Sequence, residues 1–255
     1  ESSLGLVGSE MCIRDSYYVN SMLPVAILAG GLATRLRPIT KTIPKALVPV
    51  AGRPFVLWQL EYLRDQGVSH VVLCTGYRST QIEQIVGDGS QFGIVVEYSD
   101  DGTTLLGTGG ALGKALPMLG PEFFVLYGDT FLPVSFSTVE QAYYDSDLPG
   151  LMTVYRNEGE WDTSNTVFNN GQVLEYNKAK PRHDMAYIDY GLGVLSKSVV
   201  EHYCQEKVFD LANVYEALAN AGQLAGFEVV ERFYEIGSPD GLAQTEEYLR
   251  SKASL

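Results

Sequence analysis

The sequence predicts a single α/β domain built on a mainly parallel, mixed sheet, and three observations carry that expectation. Short β-branched runs recur through the first half, stretches of helical periodicity separate them, and no Pro/Ser-rich linker, internal repeat or low-complexity tract divides the chain. Strands spaced by helices make βαβ units, which form parallel sheets that hold ligands at the carboxyl ends of their strands. In order, VAILAG (25–30) reads as a strand, FVLWQLEYLRDQG (55–67) as a helix and HVVLCTGY (70–77) as a strand. STQIEQIVGDG (79–89) reads as a helix, IVVEYS (94–99) as a strand, GGALGKALPML (109–119) as helical and FFVLYGD (123–129) as the fourth strand. The helices are identified by apolar spacing near 3.6, the strands by β-branched and aromatic runs bounded by turn residues. The second half is richer in strands: LMTVYR (151–156), NTVFNN (165–170), QVLEYNK (172–178), YIDYGLGVL (187–195) and FEVVERFYEI (227–236). Asn169, Asn170 and Gly171 between two of these are a hairpin signal. A last helix is expected over Pro239–Ala253.

Composition bounds the function. With 255 residues, 45% hydrophobic and 19% charged, the chain can bury a full core and does not have a disordered composition. The formal net charge is −13, from 18 Lys+Arg against 31 Asp+Glu. A nucleic-acid polymer needs a surplus of cations, so broad binding to one is excluded. Three dispersed cysteines make neither a disulfide framework nor a thiolate zinc site. The longest apolar runs, PVAILA and FFVL, fall far short of the ~20 residues needed to span a bilayer. A soluble, cytoplasmic protein with no membrane partner is expected, as a monomer or homo-oligomer. The charge is unevenly spread. From Met22 to Leu60 there are five basic residues (Arg35, Arg37, Lys41, Lys45, Arg53) and no Asp or Glu. From Glu61 onward there are 12 basic and 28 acidic residues. An acidic protein that gathers cations in one segment suits a small polyanion.

Residues 1–21 match no element. Residues 6–16 back-translate into a string resembling the adapter end of transposase-based sequencing libraries. Residues 1–16 are therefore expected to be read-through and 17–21 translated upstream sequence, with Met22 as the start and 22–255 as the domain. Without residues 1–21 the net charge is −11 and two cysteines remain.

After the first strand comes LAGGLATRLRPITKTIPKALVP (28–49). Gly30 and Gly31 permit close ligand approach and positive φ, so their amides can cradle phosphate oxygens. Arg35 and Arg37 follow on the turn, with Lys41 and Lys45 beyond; Pro44 holds Ile43 extended and aims Lys45. The segment has neither the G-x-G-x-x-G of dinucleotide folds nor the G-x-x-x-x-G-K-[ST] of a P-loop. A glycine turn with solvated basic residues explains a bare Gly-Gly pair, but not this density of cations beside it.

This segment resembles the signature of the sugar-1-phosphate nucleotidylyltransferases, approximately L-A-x-G-x-G-T-R-L-x-P-x-T-x-x-x-P-K. The shared positions are Leu28, Ala29, Gly31, Thr34, Arg35, Leu36, Pro38, Thr40, Pro44 and Lys45, with Ala33 where the pattern has glycine. The resemblance runs over residues 24–250. It implies a Rossmann-like, three-layer nucleotide-diphospho-sugar transferase fold, with Leu28, Ala29, Gly30, Gly31 and Thr34 on the nucleotide. Tyr127, Gly128 and Asp129 are similar to the family's N-G-D, which implies Asp129 as a ligand of catalytic Mg²⁺, with Tyr127 in place of asparagine. The run from Tyr234 to Pro239 is similar to D-I-G-x-P and implies Glu235, one methylene longer than the usual aspartate, as the second ligand. Oxygen donors of this kind suit Mg²⁺. Residues 106–111 (LGTGGA) are similar to an L-G-T-x-G-A segment that lies on the nucleobase and ribose, which implies Gly107, Thr108 and Gly110 there. Lys178 is similar to the lysine of an E-K-P motif that holds the sugar-linked phosphate, although Asn177 and Ala179 depart from it. The run Ile188 to Gly191 resembles the sugar-binding segment, which implies Asp189 and Gly191 as sugar contacts. Asn165 either joins them or sits in a solvated turn.

The reaction implied is NTP plus sugar 1-phosphate giving NDP-sugar and pyrophosphate. The attacking phosphate oxygen is already ionised, so positioning two polyanions and stabilising the leaving pyrophosphate are what the site must supply. Arg35 is assigned to the β- and γ-phosphates, Lys45 to the α-phosphate and the incoming phosphate, and Lys178 to the sugar phosphate. The A-G-G at 29–31, the Y-E-I-G-S-P run and the I-D-Y-G run are most similar to heptose 1-phosphate guanylyltransferases, with N-acetylmuramate 1-phosphate uridylyltransferases next. GTP and a bacterial envelope sugar are thereby favoured, and uridylyl or thymidylyl transfer stays open. A non-catalytic sugar-nucleotide-binding regulatory protein is disfavoured by the retained Arg35 and Asp129. A glycosyltransferase is disfavoured because Gly128, Asp129 and Thr130 do not form D-x-D. A chain ending at Leu255 is expected to carry no C-terminal β-helix acyltransferase domain. His70, His183 and His202 have no metal-ligand spacing, and Cys74 is expected in the core.

Overall fold

Neighbouring residues on a buried strand point to opposite faces, and here that alternation divides the core in two. In β1 (Val25–Leu28), Val25 and Ile27 join one apolar cluster and Ala26 the other. Both clusters flank one nine-stranded sheet in the computed structural model, which describes residues 22–32, 34–204 and 207–253. Residues 1–21, read above as adapter and upstream sequence, lie outside the described residues, as does Ala33.

Beyond β1, a small hairpin of β2 (Pro49–Val50) and β3 (Arg53–Pro54) leads into α1 (Phe55–Asp65). The first half continues with β4 (His70–Thr75), α2 (Ser79–Val86), β5 (Val95–Asp100), α3 (Gly107–Ala115), β6 (Glu122–Tyr127) and β7 (Thr130–Phe131). Then come α4 (Phe136–Ser146), β8 (Gly150–Arg156), β9 (Thr166–Asn169), β10 (Gln172–Tyr176) and β11 (Tyr187–Ser196). The chain closes with α5 (Lys197–Tyr203), α6 (Leu211–Asn220), β12 (Leu224–Val229), β13 (Tyr234–Glu235) and α7 (Pro239–Ala253).

The sheet order is β5-β4-β1-β6-β11-β8-β12-β10-β9. From β5 to β6 every pairing is parallel, and the β6–β11 and β11–β8 pairings that follow are antiparallel. Apolar residues of α1, α2 and α4 cover one face, and those of α3, α5 and α6 the other, which makes three layers. Among the described residues no helix is long and apolar enough to cross a membrane.

Three helices, α4, α5 and α6, form where the sequence reading separated none. For α6 the signals are visible in retrospect: the Asp210 side chain accepts from the Ala212 amide as an N-cap, and Leu211, Val214, Tyr215 and Leu218 share one buried face. The run 227–236 is not one strand. Its first residues end β12, and Tyr234 and Glu235 cross to pair with Phe131 and Thr130 of β7. That crossing brings Glu235 beside the turn after β6, where the Ile236 amide donates to the Asp129 carbonyl at 2.9 Å.

Candidate active site

Register sets the site. Leu28 at the end of β1 pairs with both Cys74 of β4 and Tyr127 of β6, so three parallel strands finish side by side. A cleft of about 410 Å³ opens there, at the carboxyl edge of the sheet. The glycine segment forms one wall, with Leu28, Ala29, Gly30, Gly31, Thr34, Arg35 and Lys45 all lining it. Gly107 and Thr108 of α3 line another, and Tyr127, Gly128, Asp129 and Gly237 complete the floor and far side.

The cations are held by local apolar anchors. Arg35 lies in a short helical turn, Thr34–Leu36, whose Leu36 is buried against Val48, Phe55, Phe131 and Ile236. Lys45 opens a second turn, Lys45–Leu47, behind an extended Pro44, with Ala46 and Leu47 buried beneath it. Its ammonium reaches Asp129 Oδ2 at 2.6 Å, with the lysine side chain 15% exposed and the aspartate 35%. Arg53, counted in the basic segment, is turned elsewhere: it makes a two-pronged pair with Glu61 at 2.9 and 2.6 Å and stacks over Trp58. Arg35 and Lys45 are therefore the two cations of the basic segment that the cleft receives.

Neither Gly30 nor Gly31 takes positive φ, contrary to one reason given for glycine there. A Cβ at Gly31 would meet nothing within 4 Å among the described residues, and one at Gly30 would make ordinary contacts. Glycine at Gly31 thus leaves open room for a ligand and is not demanded by the backbone. Gly107 is different, with φ +73° and the Phe209 carbonyl 2.5 Å from where a Cβ would stand. Gly110 does not line the cleft. A side chain there would run into the Lys207 carbonyl, so this glycine lets the 207–210 segment pack on α3. The Thr108 hydroxyl donates to Asp210 at 2.9 Å and accepts from the Leu211 amide, joining α3 to α6.

Glu235 lies where β13 meets the start of α7. Its Oε2 accepts the Gly237 amide and its Oε1 the Ser238 hydroxyl at 2.5 Å, at the start of α7. Gly241 leaves the room for this. The extra methylene lets the carboxylate fold back onto the helix start, where amide donors favour an anion. It stays close to the cations nonetheless: a Cβ at Gly237 would lie 2.6 Å from Glu235 Oε2, 2.9 Å from Lys45 Nζ and 3.2 Å from Arg35 Nη2. Among the described residues no three His, Cys, Asp or Glu side chains gather as a metal cage. The cleft-facing carboxylate beside Lys45, Asp129, fits the habit of Mg²⁺, which takes one or two carboxylates and completes its shell with water and substrate phosphate.

The four residues expected at the sugar end lie off the main cleft, and three are tied together. Asn165 Oδ1 accepts from the Asp189 amide at 3.3 Å and from Thr166 Oγ1 at 2.9 Å, and Asp189 Oδ1 accepts from the Gly191 amide at 2.9 Å. Gly191 has φ +105°, inside an irregularity of β11 between Asp189 and Gly193. Lys178 is exposed just past β10, and its charge steadies that of Asp189. Burial pushes the Asp189 carboxyl up to about 6, against the opposing pull of the Gly191 amide, Lys178 and Tyr127. Tyr127 lines the cleft and stands beside Asp189, so it touches both ends of the site.

Two further wall residues were not singled out as site residues by the sequence reading. Asp101, directly after β5, lines the cleft; its Oδ2 accepts from the Leu106 amide at 3.0 Å, while its buried Oδ1 has no partner among the described residues. Burial raises its carboxyl above the usual range. An acidic residue at the end of a parallel strand was the available signal. Cys74 is buried as expected and also borders the cleft; burial pushes its thiol up to about 12, which leaves no thiolate for nucleophilic attack. His70 is engaged with Glu97 at 2.8 Å on the surface.

A cleft at the ends of parallel strands, walled by glycines and holding two cations and a carboxylate, defines an α/β protein for phosphorylated nucleotides. The chain belongs to the Nucleotidyl transferase family, whose model matches residues 25–249. It is 39% identical over 116 residues to the N-acetylmuramate alpha-1-phosphate uridylyltransferase of Neisseria meningitidis serogroup B, covering 45% of this chain and 50% of that one. The chain thus spans about half the length of that relative. It is 28% identical over 215 residues to the D-glycero-alpha-D-manno-heptose 1-phosphate guanylyltransferase of Campylobacter jejuni subsp. jejuni, covering 84% of this chain and 94% of that one. The crystal structure of HddC from Yersinia pseudotuberculosis complexed with GMP-PN superposes with a TM-score of 0.74 at 27% identity, over 89% of this chain and 100% of that one. The fold is the Rossmann-like nucleotide-diphospho-sugar transferase fold.

Proposed function

We propose that the protein transfers a nucleotidyl group from GTP to a heptose 1-phosphate or related hexose 1-phosphate, releasing pyrophosphate, in the cytoplasmic synthesis of bacterial envelope sugars. The observation that carries this reading is the meeting of Arg35, Lys45 and Asp129 in one cleft at the ends of β1 and β6. Arg35 is exposed and free to meet the leaving β- and γ-phosphates. Lys45, already paired with Asp129, is held where it can neutralise the α-phosphate and the incoming sugar phosphate together. Gly31 keeps that wall thin, and beyond Tyr127 Lys178 receives the sugar-linked phosphate and Asp189 the sugar. Asp129 would hold Mg²⁺, whose chemistry there is to neutralise charge on the phosphate oxygens. No general base is needed, because the nucleophile arrives ionised.

Guanine is favoured by the likeness to the Campylobacter protein and by the wall carboxylate of Asp101. Guanine presents N1–H and an amino group on one edge, a donor set that a carboxylate can accept. A uridylyl transfer is the second reading, favoured by the 39% identity to the Neisseria relative. A pyrophosphate-release grid tests both: GTP, UTP, dTTP, CTP and ATP against heptose, mannose, glucose, N-acetylmuramate and other amino-sugar 1-phosphates, with and without Mg²⁺. Release with GTP and heptose or mannose 1-phosphate supports the first reading. Release confined to UTP supports the second, and none with any pair overturns both.

A further inference from the structure

Helix α1 carries a row of polar side chains that nucleotidyl transfer as described above does not use. Gln59, Tyr62 and Gln66 recur at i, i+3 and i+7, which places them on one face. Each reaches the backbone of the segment that follows β6. Gln59 Nε2 donates to the Thr130 carbonyl at 2.8 Å and to the Tyr127 carbonyl at 3.4 Å. One turn on, the Tyr62 hydroxyl donates to the Val134 carbonyl at 3.0 Å. Gln66 Oε1 accepts the Phe136 amide, at the start of α4, at 3.1 Å. The helix therefore holds the chain from residue 127 to residue 136, and Gln59 holds the stretch that contains Asp129.

We propose that Gln59 is a positioning residue for Asp129: from α1, its amide fixes the 127–130 turn and so the direction in which the Asp129 carboxylate enters the cleft. This rests on the reading of the protein as a nucleotidyltransferase whose Asp129 holds a divalent metal. The two Gln59 contacts bracket Asp129. The Tyr127 carbonyl also accepts from Thr130 Oγ1 at 3.0 Å, and the Asp129 carbonyl accepts the Ile236 amide at 2.9 Å. Behind the turn, a Cβ at Gly128 would lie 2.7 Å from the Leu28 carbonyl, so β1 blocks movement that way. An aspartate carboxylate lies close to its own backbone, so the placement of the turn sets where its oxygens fall. Packing by itself would be met by an apolar side chain, as at Val56, Leu60 and Leu63 of the same buried face. Gln59 is instead an amide 2% exposed, and its Oε1 has no partner among the described residues. A buried carbonyl left in that state costs stability, and the donor on the same group is what the site gains for it.

The test is Gln59→Met, which keeps the length and bulk of the side chain and removes its donors. Mn²⁺ takes the same oxygen ligands as Mg²⁺, and its binding is read by electron paramagnetic resonance. The probe is Mn²⁺ with the α,β-methylene analogue of whichever nucleotide the pyrophosphate-release grid selects. Gln59→Met should raise the Mn²⁺ dissociation constant about tenfold or more and lower kcat by a similar factor. KM for the sugar 1-phosphate should stay within about threefold of wild type. In the ligand-free protein, deuterium exchange at residues 128–131 should quicken. Tyr62→Phe is the control. It removes a hydrogen bond one turn along the same helix, and should lower the melting temperature while the Mn²⁺ constant stays within about twofold. Gln59→Asn withdraws the donor by one methylene and carries the same expectations where Gln59→Met does not fold. Unchanged Mn²⁺ affinity in a folded Gln59 variant, or an equal loss in Tyr62→Phe, overturns the proposal alone. A wild-type protein that neither binds Mn²⁺ with any such analogue nor releases pyrophosphate overturns the parent reading and the metal role with it, even where exchange at 128–131 still quickens.

Discussion

Asp129 pairs with the Lys45 ammonium at 2.6 Å, so its charge is met within the protein itself. Chelation with EDTA is therefore expected to abolish turnover yet leave the melting temperature of the ligand-free protein unchanged, which differential scanning calorimetry checks. Arg35→Ala should lower kcat by about 10²-fold or more if the guanidinium acts on the departing pyrophosphate. Steady-state pyrophosphate release measures it, and near-normal turnover would remove Arg35 from the reaction. Asp189 carries a stability consequence. Its folded carboxyl titrates near 6, above the usual ~3.9 of an unfolded aspartate. The folded state then holds a proton that the unfolded state has lost, so this group's contribution to stability falls as pH rises from about 4 to about 6 and stays low above. Asp189→Asn should thus gain in melting temperature relative to wild type between about pH 4 and about pH 7. At this scale the sequence was informative for Arg35 and Lys45, in the motif segment that follows β1, and for Asp129, just past the end of β6. It was poor for Asp101 and Tyr127, because whether a strand-end side chain faces a cleft depends on which strands stand beside it.

At the scale of elements, two glycines of similar appearance do opposite work. A Cβ at Gly31 would touch none of the described residues, so Gly31→Ala should leave the melting temperature unchanged and raise KM for the nucleotide. Gly110 is packed under the 207–210 segment, so Gly110→Ala should cost about 1–3 kcal/mol, a drop of several degrees in melting temperature by calorimetry, with secondary effects on binding. The amides of Gly109 and Gly110 both donate to the Phe209 carbonyl, so the first turn of α3 is capped by the chain itself. Periodicity revealed α1, α2, α3 and α7, whose apolar stripes are bounded by clear turn signals. It did not reveal the break between β12 and β13, since residues 227–236, rich in β-branched and aromatic side chains, read as one continuous strand and only the partner strand β7 decides where it divides. The same division delivers Glu235 to α7, where Gly241 permits it to fold back.

For the whole molecule, net charge gave the wrong scale of description until it was resolved along the chain. The acidic total hides a basic segment of which the structure commits Arg53 to Glu61 and leaves Arg35 and Lys45 at the cleft. On the proposed reading the sheet divides the labour in the same way, with the parallel strands β1, β4 and β6 at the nucleotide end and the antiparallel β11, beside Asn165 and Lys178, at the sugar end. Hydrogen exchange should register this: GTP is expected to protect the segment from Ala29 to Leu47 and the start of α3, and sugar 1-phosphate the segment from Asn165 to Gly191. Protection spread evenly over both regions by either ligand alone would contradict the division.

The sequence by itself determined the alternation of strands and helices, the glycine and cation segment after β1, and the carboxylate after β6, because these depend on local periodicity and on residues adjacent in the chain. Only the tertiary structure decided that Glu235 folds onto α7, that Gly110 packs against Lys207, and that Tyr127 joins the cleft to Asp189. Each of those outcomes depends on which distant backbone stands within a few ångströms, and a side chain's length, charge or lack of a Cβ acquires its consequence from that neighbour.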